Sequence, residues 1–294
     1  MSLVSYTDLT CRNIGFVSPA EQDQIREAAV FVCGIGGMGG ACLQSLVRMG
    51  VTRLAIADPD TFEVTNLNRQ VFAFASTLNQ RKVDATRSCL LDINPALDLD
   101  TFGQEWTAHV DAILSKYPIV VNGMDDLPCE ILLYRKAREH GATVIDAYTS
   151  PLPSVTVVRP QHPRPEERLG YPTVGKDWRA LTPAIHAQCR VREIEYVLTH
   201  SSSASYLDLH IAAEVLAGKR PRISFAPMVI TTGNLMCFEV LNLILGRPGT
   251  DYSGYFFNPW TVKIERPRPR LTAWPRSLVA RRLLKTLMGP AGNV

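Results

Sequence analysis

The sequence predicts an α/β protein built on a doubly wound, mostly parallel sheet with a C-terminal antiparallel extension. The prediction rests on residues 30–60, VFVCGIGGMGGACLQSLVRMGVTRLAIADPD, and on apolar runs that keep alternating with helical patterns after it. Val30, Phe31, Val32 and Cys33 form a continuous apolar run, as in a strand covered on both faces. A turn rich in glycine follows, with Gly34, Gly36, Gly37, Gly39 and Gly40. Ala41, Leu43, Leu46, Val47 and Met49 then recur at helical spacing and stop at Gly50, a usual helix terminator. A second apolar run, 54–57, ends on Asp58. Strand, glycine turn, helix, strand and acid make the first half of a Rossmann-like nucleotide-binding unit.

Upstream of this unit, Ser18, Pro19 and Glu21 form a capping box with proline at the first helical position, predicting a helix to about Ala29. Residues 11–16 read as a turn carrying Arg12. Downstream, residues 59–70 are polar and irregular and hold Asp60, Asn66, Arg69 and Gln70. Lys82 opens a helix with Val83, Thr86, Cys89, Leu90 and Ile93 on its inner face, ended by Asn94 and Pro95. Residues 97–102 alternate like a half-buried strand, 110–114 suggest a short helix, and 119–121 a buried strand that leads into Asn122, Gly123, Met124, Asp125 and Asp126. A helix over 128–140 and a strand at 144–145 follow. Asp58 and Asp125 thus stand at the carboxyl ends of two parallel strands, the edge where open α/β sheets bind ligands.

From residue 151 the character changes: a strand at 154–158, a proline-rich crossing loop over 160–183, helices near 184–199, 203–217 and 228–245, and runs 252–257 and 261–265 that can pair antiparallel. The expected organisation is an N-terminal helical arm (1–29), a nucleotide-binding half (30–150), a substrate-side half (151–265) and a basic tail (266–294) with a short amphipathic helix around 277–288.

A chain of 294 residues, 46% hydrophobic, can bury a sizeable core. The apolar stretch 223–245 is interrupted by Pro227, Gly233, Asn234, Glu239 and Asn242, so it reads as a buried helix and no membrane is expected. Seven cysteines without framework spacing, and no leader pattern, suggest a reducing cytoplasm and no four-cysteine zinc site. After Glu265 the chain has no acid and seven cations, more than its whole net charge of +3, so the body is mildly acidic.

The glycine turn suits close approach of a phosphate, the helix start offers free N–H groups, and Asp58 can take ribose hydroxyls. A dinucleotide site of the NAD type and a nucleoside triphosphate site share these features. Arg69, Lys82 and Asp125 on the same edge favour the triphosphate, since phosphates call for cations and a magnesium-holding acid. No P-loop pattern occurs, so attack at the α-phosphate with release of pyrophosphate fits better than γ-phosphate transfer.

These positions also resemble the ThiF/MoeB adenylyltransferases, which share their adenylation domain with the ubiquitin-activating enzymes. The resemblance rests on Gly34-x-Gly36-Gly37-x-Gly39, Asp58-x-Asp60, Asn66-Leu67-x-Arg69-Gln70, Lys82, Asp125, and then Ala226-Pro227, Gly233, Glu239 and Leu245-Gly246, covering about residues 10–265. It implies binding of ATP and magnesium and adenylation of a carboxylate, such as the C-terminal glycine of a ubiquitin-like or sulfur-carrier protein. It further implies that Asp58 holds the ribose, Arg69 and Lys82 the phosphates, and Asp125 the metal. Arg12 would reach the site of the other subunit in a homodimer, and Asn66 and Gln70 would line or brace the pocket. The family's zinc-binding cysteine pairs are absent, and Met124-Asp125-Asp126 stands where Thr-Asp-Asn is common. Cys189 is the best candidate for an acyl-accepting thiol, with a structural role as its alternative. The acceptor stays open among a carrier-protein tail, a peptide, a small carboxylic acid and a modified tRNA base, the basic tail keeping RNA in view. A catalytically silent nucleotide-binding scaffold and an NAD-linked oxidoreductase are the competing readings.

Overall fold

The structure, a computed structural model, describes residues 4–288. In chain order the elements are α1 (Tyr6–Thr10), α2 (Pro19–Glu27), β1 (Ala29–Cys33), α3 (Gly37–Met49), β2 (Arg53–Ala57), α4 (Lys82–Ile93), β3 (Asp98–Phe102), α5 (Trp106–Lys116), β4 (Ile119–Asn122), α6 (Leu127–Glu139) and β5 (Thr143–Asp146). They continue with β6 (Ser154–Val158), α7 (Pro165–Arg168), α8 (Pro183–His200), α9 (Leu209–Leu216), α10 (Ala226–Ile244), β7 (Tyr255–Asn258), β8 (Lys263–Glu265) and α11 (Arg270–Met288).

One sheet of 8 strands runs in the order β3-β2-β1-β4-β5-β6-β7-β8. The first five are parallel. From β5 to β8 every pairing is antiparallel, so the change of character at residue 151 is a change of strand direction. Strand alternation divides the core. Val30, Val32, Leu54 and Ile56 face Leu43, Leu46, Leu90, Met236 and Val240, which places α3, α4 and α10 on one side. Phe31, Cys33, Ala55 and Val120 face Trp106, Val110, Leu133 and Ala137, which places α5 and α6 on the other. The chain order reverses between β1 and β4, and the crevice above that pair is where ligands enter such sheets.

Several boundaries differ from those expected. α5 starts at Trp106, ahead of 110, because Trp106 is buried and its ring meets Phe31 at 6.0 Å between centroids. The helix expected over 203–217 is a 3-10 turn (Ser203–Tyr206) followed by α9, whose start Asp208 caps by accepting from the His210 and Ile211 N–H groups. The 160–183 segment is pinned: Arg135 makes a two-pronged ion pair with Glu166, and Arg138 does the same with Glu167. The tail helix begins at Arg270, ahead of 277. It docks through Ala280 and Leu284, while Arg276 donates to the Thr199 and Ser201 carbonyls and Arg281 pairs with Glu195. α10 alone among the described residues is long and apolar enough to cross a bilayer, and here it lies against α3 and β6 with Gly233, Met236 and Val240 buried.

Candidate active site

The turn after β1 and the turn after β4 are threaded through each other. Gly34 has φ +83°, and a Cβ on it would stand 2.5 Å from the carbonyl carbon of Gly123. A Cβ on Gly39 would meet the Gly34 oxygen at 1.9 Å, and one on Gly37 would meet Val229 of α10 at 2.4 Å. These three glycines are therefore required by packing. Gly36 differs: the nearest atom to a Cβ there is Gln70 Nε2 at 3.7 Å. It precedes the 13-residue α3, whose first turn has no side-chain cap, so its N–H groups remain available to an anion.

Directly beside this turn lies a buried knot of charge. Asp58 accepts from the Ile35 N–H at 2.9 Å and from the Asp60 N–H at 3.0 Å. Lys82 Nζ lies within ion-pair distance of both Asp58 and Asp60, with Lys82 and Asp58 buried and Asp60 exposed. Burial pushes the Asp58 carboxyl above its usual range, against the Lys82 charge and the two N–H groups. The structure therefore joins Asp58, Asp60 and Lys82 as one unit.

The polar loop 59–70 is ordered by its own side chains. Buried Asn66 accepts from the Glu63 N–H at 3.0 Å, so it braces the loop. Arg69 donates from Nη1 to the Thr65 carbonyl at 2.8 Å and to Asn68 at 2.9 Å. Its guanidinium pKa is lowered by burial and then by the charge of Arg222, with Asp125 opposing. Gln70 is buried, and its Oε1 has no hydrogen-bond donor. The Gln70 atom that faces the space at Gly36 is the amide Nε2, a donor.

Asp125 follows β4 with its side chain 84% exposed, and Arg222 lies 4.0 Å away. Among the described residues, no group of three or more His, Cys, Asp or Glu is placed to hold a metal ion. A single exposed carboxylate at this edge does fit magnesium, which keeps most of its waters and completes its shell with phosphate oxygens. The neighbouring Asp126, the departure noted above, caps α6 by accepting from the Cys129 N–H at 2.9 Å.

Two candidates lie elsewhere. The 3-10 turn bearing Arg12 docks at the far end of α3, where Asn13 donates to the Met49 carbonyl at 3.1 Å. At 1.5 Å per residue the 13 residues of α3 put about 20 Å between that end and the glycine turn of the same chain. Cys189 is buried against Ile131 and Tyr171, and burial and then the Glu166 charge push its thiol up to about 11. It is a core thiol at rest and not an activated nucleophile.

Sequence reasoning missed some neighbours. Asp146, at the end of β5, accepts from Asn122 at 3.0 Å and Tyr134 at 2.5 Å, and burial raises its carboxyl to about 6. Glu130 and Glu193 are raised as well, again chiefly by burial. Asp146 ends a predicted strand just as Asp58 does, which was a usable signal. Arg222 had none, because it comes from a distant loop.

Against known proteins, the ThiF family model matches residues 10–277. The chain belongs to the ThiF family. A stretch of 118 residues is 32% identical to the sulfur carrier protein adenylyltransferase of Thermus thermophilus, covering 40% of this chain and 44% of that protein. Another of 127 residues is 28% identical to the tRNA threonylcarbamoyladenosine dehydratase of Bacillus subtilis, covering 42% and 50%. One of 78 residues is 40% identical to the molybdopterin-synthase adenylyltransferase of Salmonella typhimurium, covering 26% and 31%. The chain thus spans half or less of the length of these curated relatives. Among solved structures, E. coli MccB with succinimide superposes with a TM-score of 0.61 at 16% identity over 91% of this chain and 73% of that one. The E. coli tRNA N6-threonylcarbamoyladenosine dehydratase with AMP gives 0.57 at 18% identity over 84% and 98%. These likenesses establish the Rossmann-like ThiF fold, as the strand pattern implied.

Proposed function

We propose that this protein binds ATP with magnesium and adenylates a carboxylate. An acyl oxygen attacks the α-phosphorus, the bond to the β-phosphate breaks, and pyrophosphate leaves with the acyl-adenylate formed. The reading is carried by one observation: the buried Asp58–Lys82 pair sits beside the start of α3, whose N–H groups have no side-chain cap. Asp58 suits the ribose hydroxyls, α3 and Arg69 the phosphates, and Asp125 the magnesium ion. The metal, when bound, supplies charge neutralisation at the phosphates; Lys82 holds Asp58 and Asp60 in place and lends its charge to the edge.

The names of the relatives, adenylyltransferases for sulfur carrier protein and for molybdopterin synthase, support this class of chemistry. The acceptor is a peptide or carrier-protein C-terminus or a small carboxylic acid. Arg12, remote from the site of its own chain, serves the partner's site in a homodimer. Seven free cysteines suit a reducing cytoplasm. Engagement of Arg276 and Arg281 with α8 leaves any RNA contact to the remaining tail cations.

The test is pyrophosphate–ATP exchange against carboxylates, peptides and carrier-protein tails, with hydroxylamine trapping the acyl-adenylate. Arg69→Ala and Lys82→Ala should each lower exchange on the order of 10²–10³-fold. Nucleotide binding without exchange for any acceptor would make the protein a scaffold, and exchange untouched by Lys82→Ala would remove that lysine from the site.

A further inference from the structure

Beside the nucleotide edge lies a cleft of about 500 Å³ that the roles above leave unused. The start of α9 supplies Leu207, Asp208 and Ile211 to its walls, and the segment leading into α10 supplies Pro221, Arg222 and Ile223. It is broad and open to solvent, a surface along which an extended chain end can lie and not an enclosed pocket. Two contacts tie it to the site. Arg222 reaches Asp125 at 4.0 Å, and Asn68, next to Arg69, donates to the Ser224 carbonyl at 3.1 Å.

Arg222 is therefore a cation standing between an apolar cleft and the edge where phosphates are expected. Burial first, and then the charge of Arg222, lowers the pKa of Arg69, so the two guanidiniums face each other unfavourably. Among the described residues the ion-pair partner of Arg222 is Asp125, at a long, exposed contact. The other acids that face Arg222 are Glu130 and Glu193, whose carboxyls burial raises. A carboxylate entering from the cleft would relieve the repulsion between the two guanidiniums and take a two-pronged bond from Arg222.

We infer that this cleft receives the acceptor, and that the acceptor is a polypeptide C-terminus ending in an apolar residue, its carboxylate held by Arg222. The inference rests on the adenylation reading and adds the acceptor's chemistry. Leu207, Ile211, Pro221 and Ile223 provide surface that a terminal glycine would leave uncovered. Beyond the cleft, Leu209 and Phe225 are exposed at 40% and 57%, a rim that preceding residues of a chain would cover and a free small acid would not.

The experiment uses the full chain with peptides ending in Leu, Phe or Gly-Gly, and with free 4-methylpentanoate and 3-phenylpropanoate as small-acid counterparts. Exchange gives KM, and calorimetry gives peptide binding without turnover. Peptides ending in Leu or Phe should support exchange, with the small acids and the Gly-Gly peptide at least about 10-fold worse. Arg222→Gln should raise the acceptor KM about 10- to 100-fold, far more than it changes the ATP KM. Ile211→Trp, which narrows the cleft, should penalise Phe-ended peptides more than Leu-ended ones. Exchange driven best by Gly-Gly peptides or by the free acids, or indifferent to both variants, overturns the cleft assignment and leaves adenylation standing. Binding of apolar-ended peptides that depends on Arg222, with no exchange, keeps the cleft and removes adenylation. Absence of both exchange and peptide binding in a protein that still binds ATP overturns the cleft.

Discussion

Lys82 Nζ stands 2.9 Å from Asp60 Oδ2 and 3.6 Å from Asp58 Oδ1, so one buried ammonium bridges two acids at the end of β2. Removing it strands the Asp58 carboxylate, which is 6% exposed and holds the Ile35 N–H. Lys82→Met should cost about 3 kcal/mol of stability at pH 7. Without the lysine the Asp58 carboxyl rises further, so protonation relieves the loss as pH falls. Urea unfolding at pH 7 and pH 5 should therefore show the larger deficit at pH 7. Equal deficits would mean that Asp58 is not the group left unpaired.

The interlocked turns give a second test. Gly39→Ala forces a Cβ against the Gly34 carbonyl, backbone against backbone, and should cost about 3 kcal/mol or more or yield insoluble protein. Gly36→Ala meets nothing closer than 3.7 Å, so its melting temperature should fall much less while nucleotide binding weakens. Calorimetric melting and titration with ATP separate the two effects.

Cys189 should be dispensable for adenylation. Its thiol, pushed up to about 11, is protonated at neutral pH and walled in by Tyr171 and Ile131. Cys189→Ala should keep exchange within about twofold, the scale of ordinary small repacking effects. Mass spectrometry should find no acyl thioester at this position, and finding one would return Cys189 to the reaction.

Asp146 makes a pH prediction. Its folded-state carboxyl, raised from 3.8 to about 6, holds a proton that the unfolded chain has already lost. The stability this group contributes thus falls as pH rises from about 4 to about 6 and stays low above that. Relative to Asp146→Asn, the wild type should lose up to about 3 kcal/mol across that window. Chemical unfolding of both proteins at stepped pH measures it, and a flat difference would contradict the raised carboxyl.

Arg12 invites a mixing experiment. Arg12→Ala and Arg69→Ala should each be nearly inactive alone. Mixed subunits should regain up to about a quarter of wild-type exchange, because random pairing of two variants leaves one intact site in half of the dimers. No recovery would place Arg12 outside the partner's site.

The clustering of the proposed nucleotide-site residues was legible because their chemistry is local. The glycine turn, Asp58, the Asn66–Gln70 loop and Lys82 follow one another along a single βαβ stretch, where hydrophobic period and residue type speak directly. What could not be read comes from tertiary contact. Trp106 lengthens α5 because Phe31 receives its ring, and Arg222 reaches Asp125 only because Val229 and Gly233 seat α10 on α3. The packing role of Gly34 and Gly39 was likewise hidden, since the partner turn at Gly123 lies far along the chain.

That seating of α10 bears on how the molecule can be cut. A fragment ending near residue 150 would keep every motif of the nucleotide half, yet would lose the Met236 and Val240 lid over Val32 and Val121 and leave the edge of β5 bare. Such a fragment is expected to self-associate, so anyone transplanting this module into another protein must carry the helix from the far end of the chain with it.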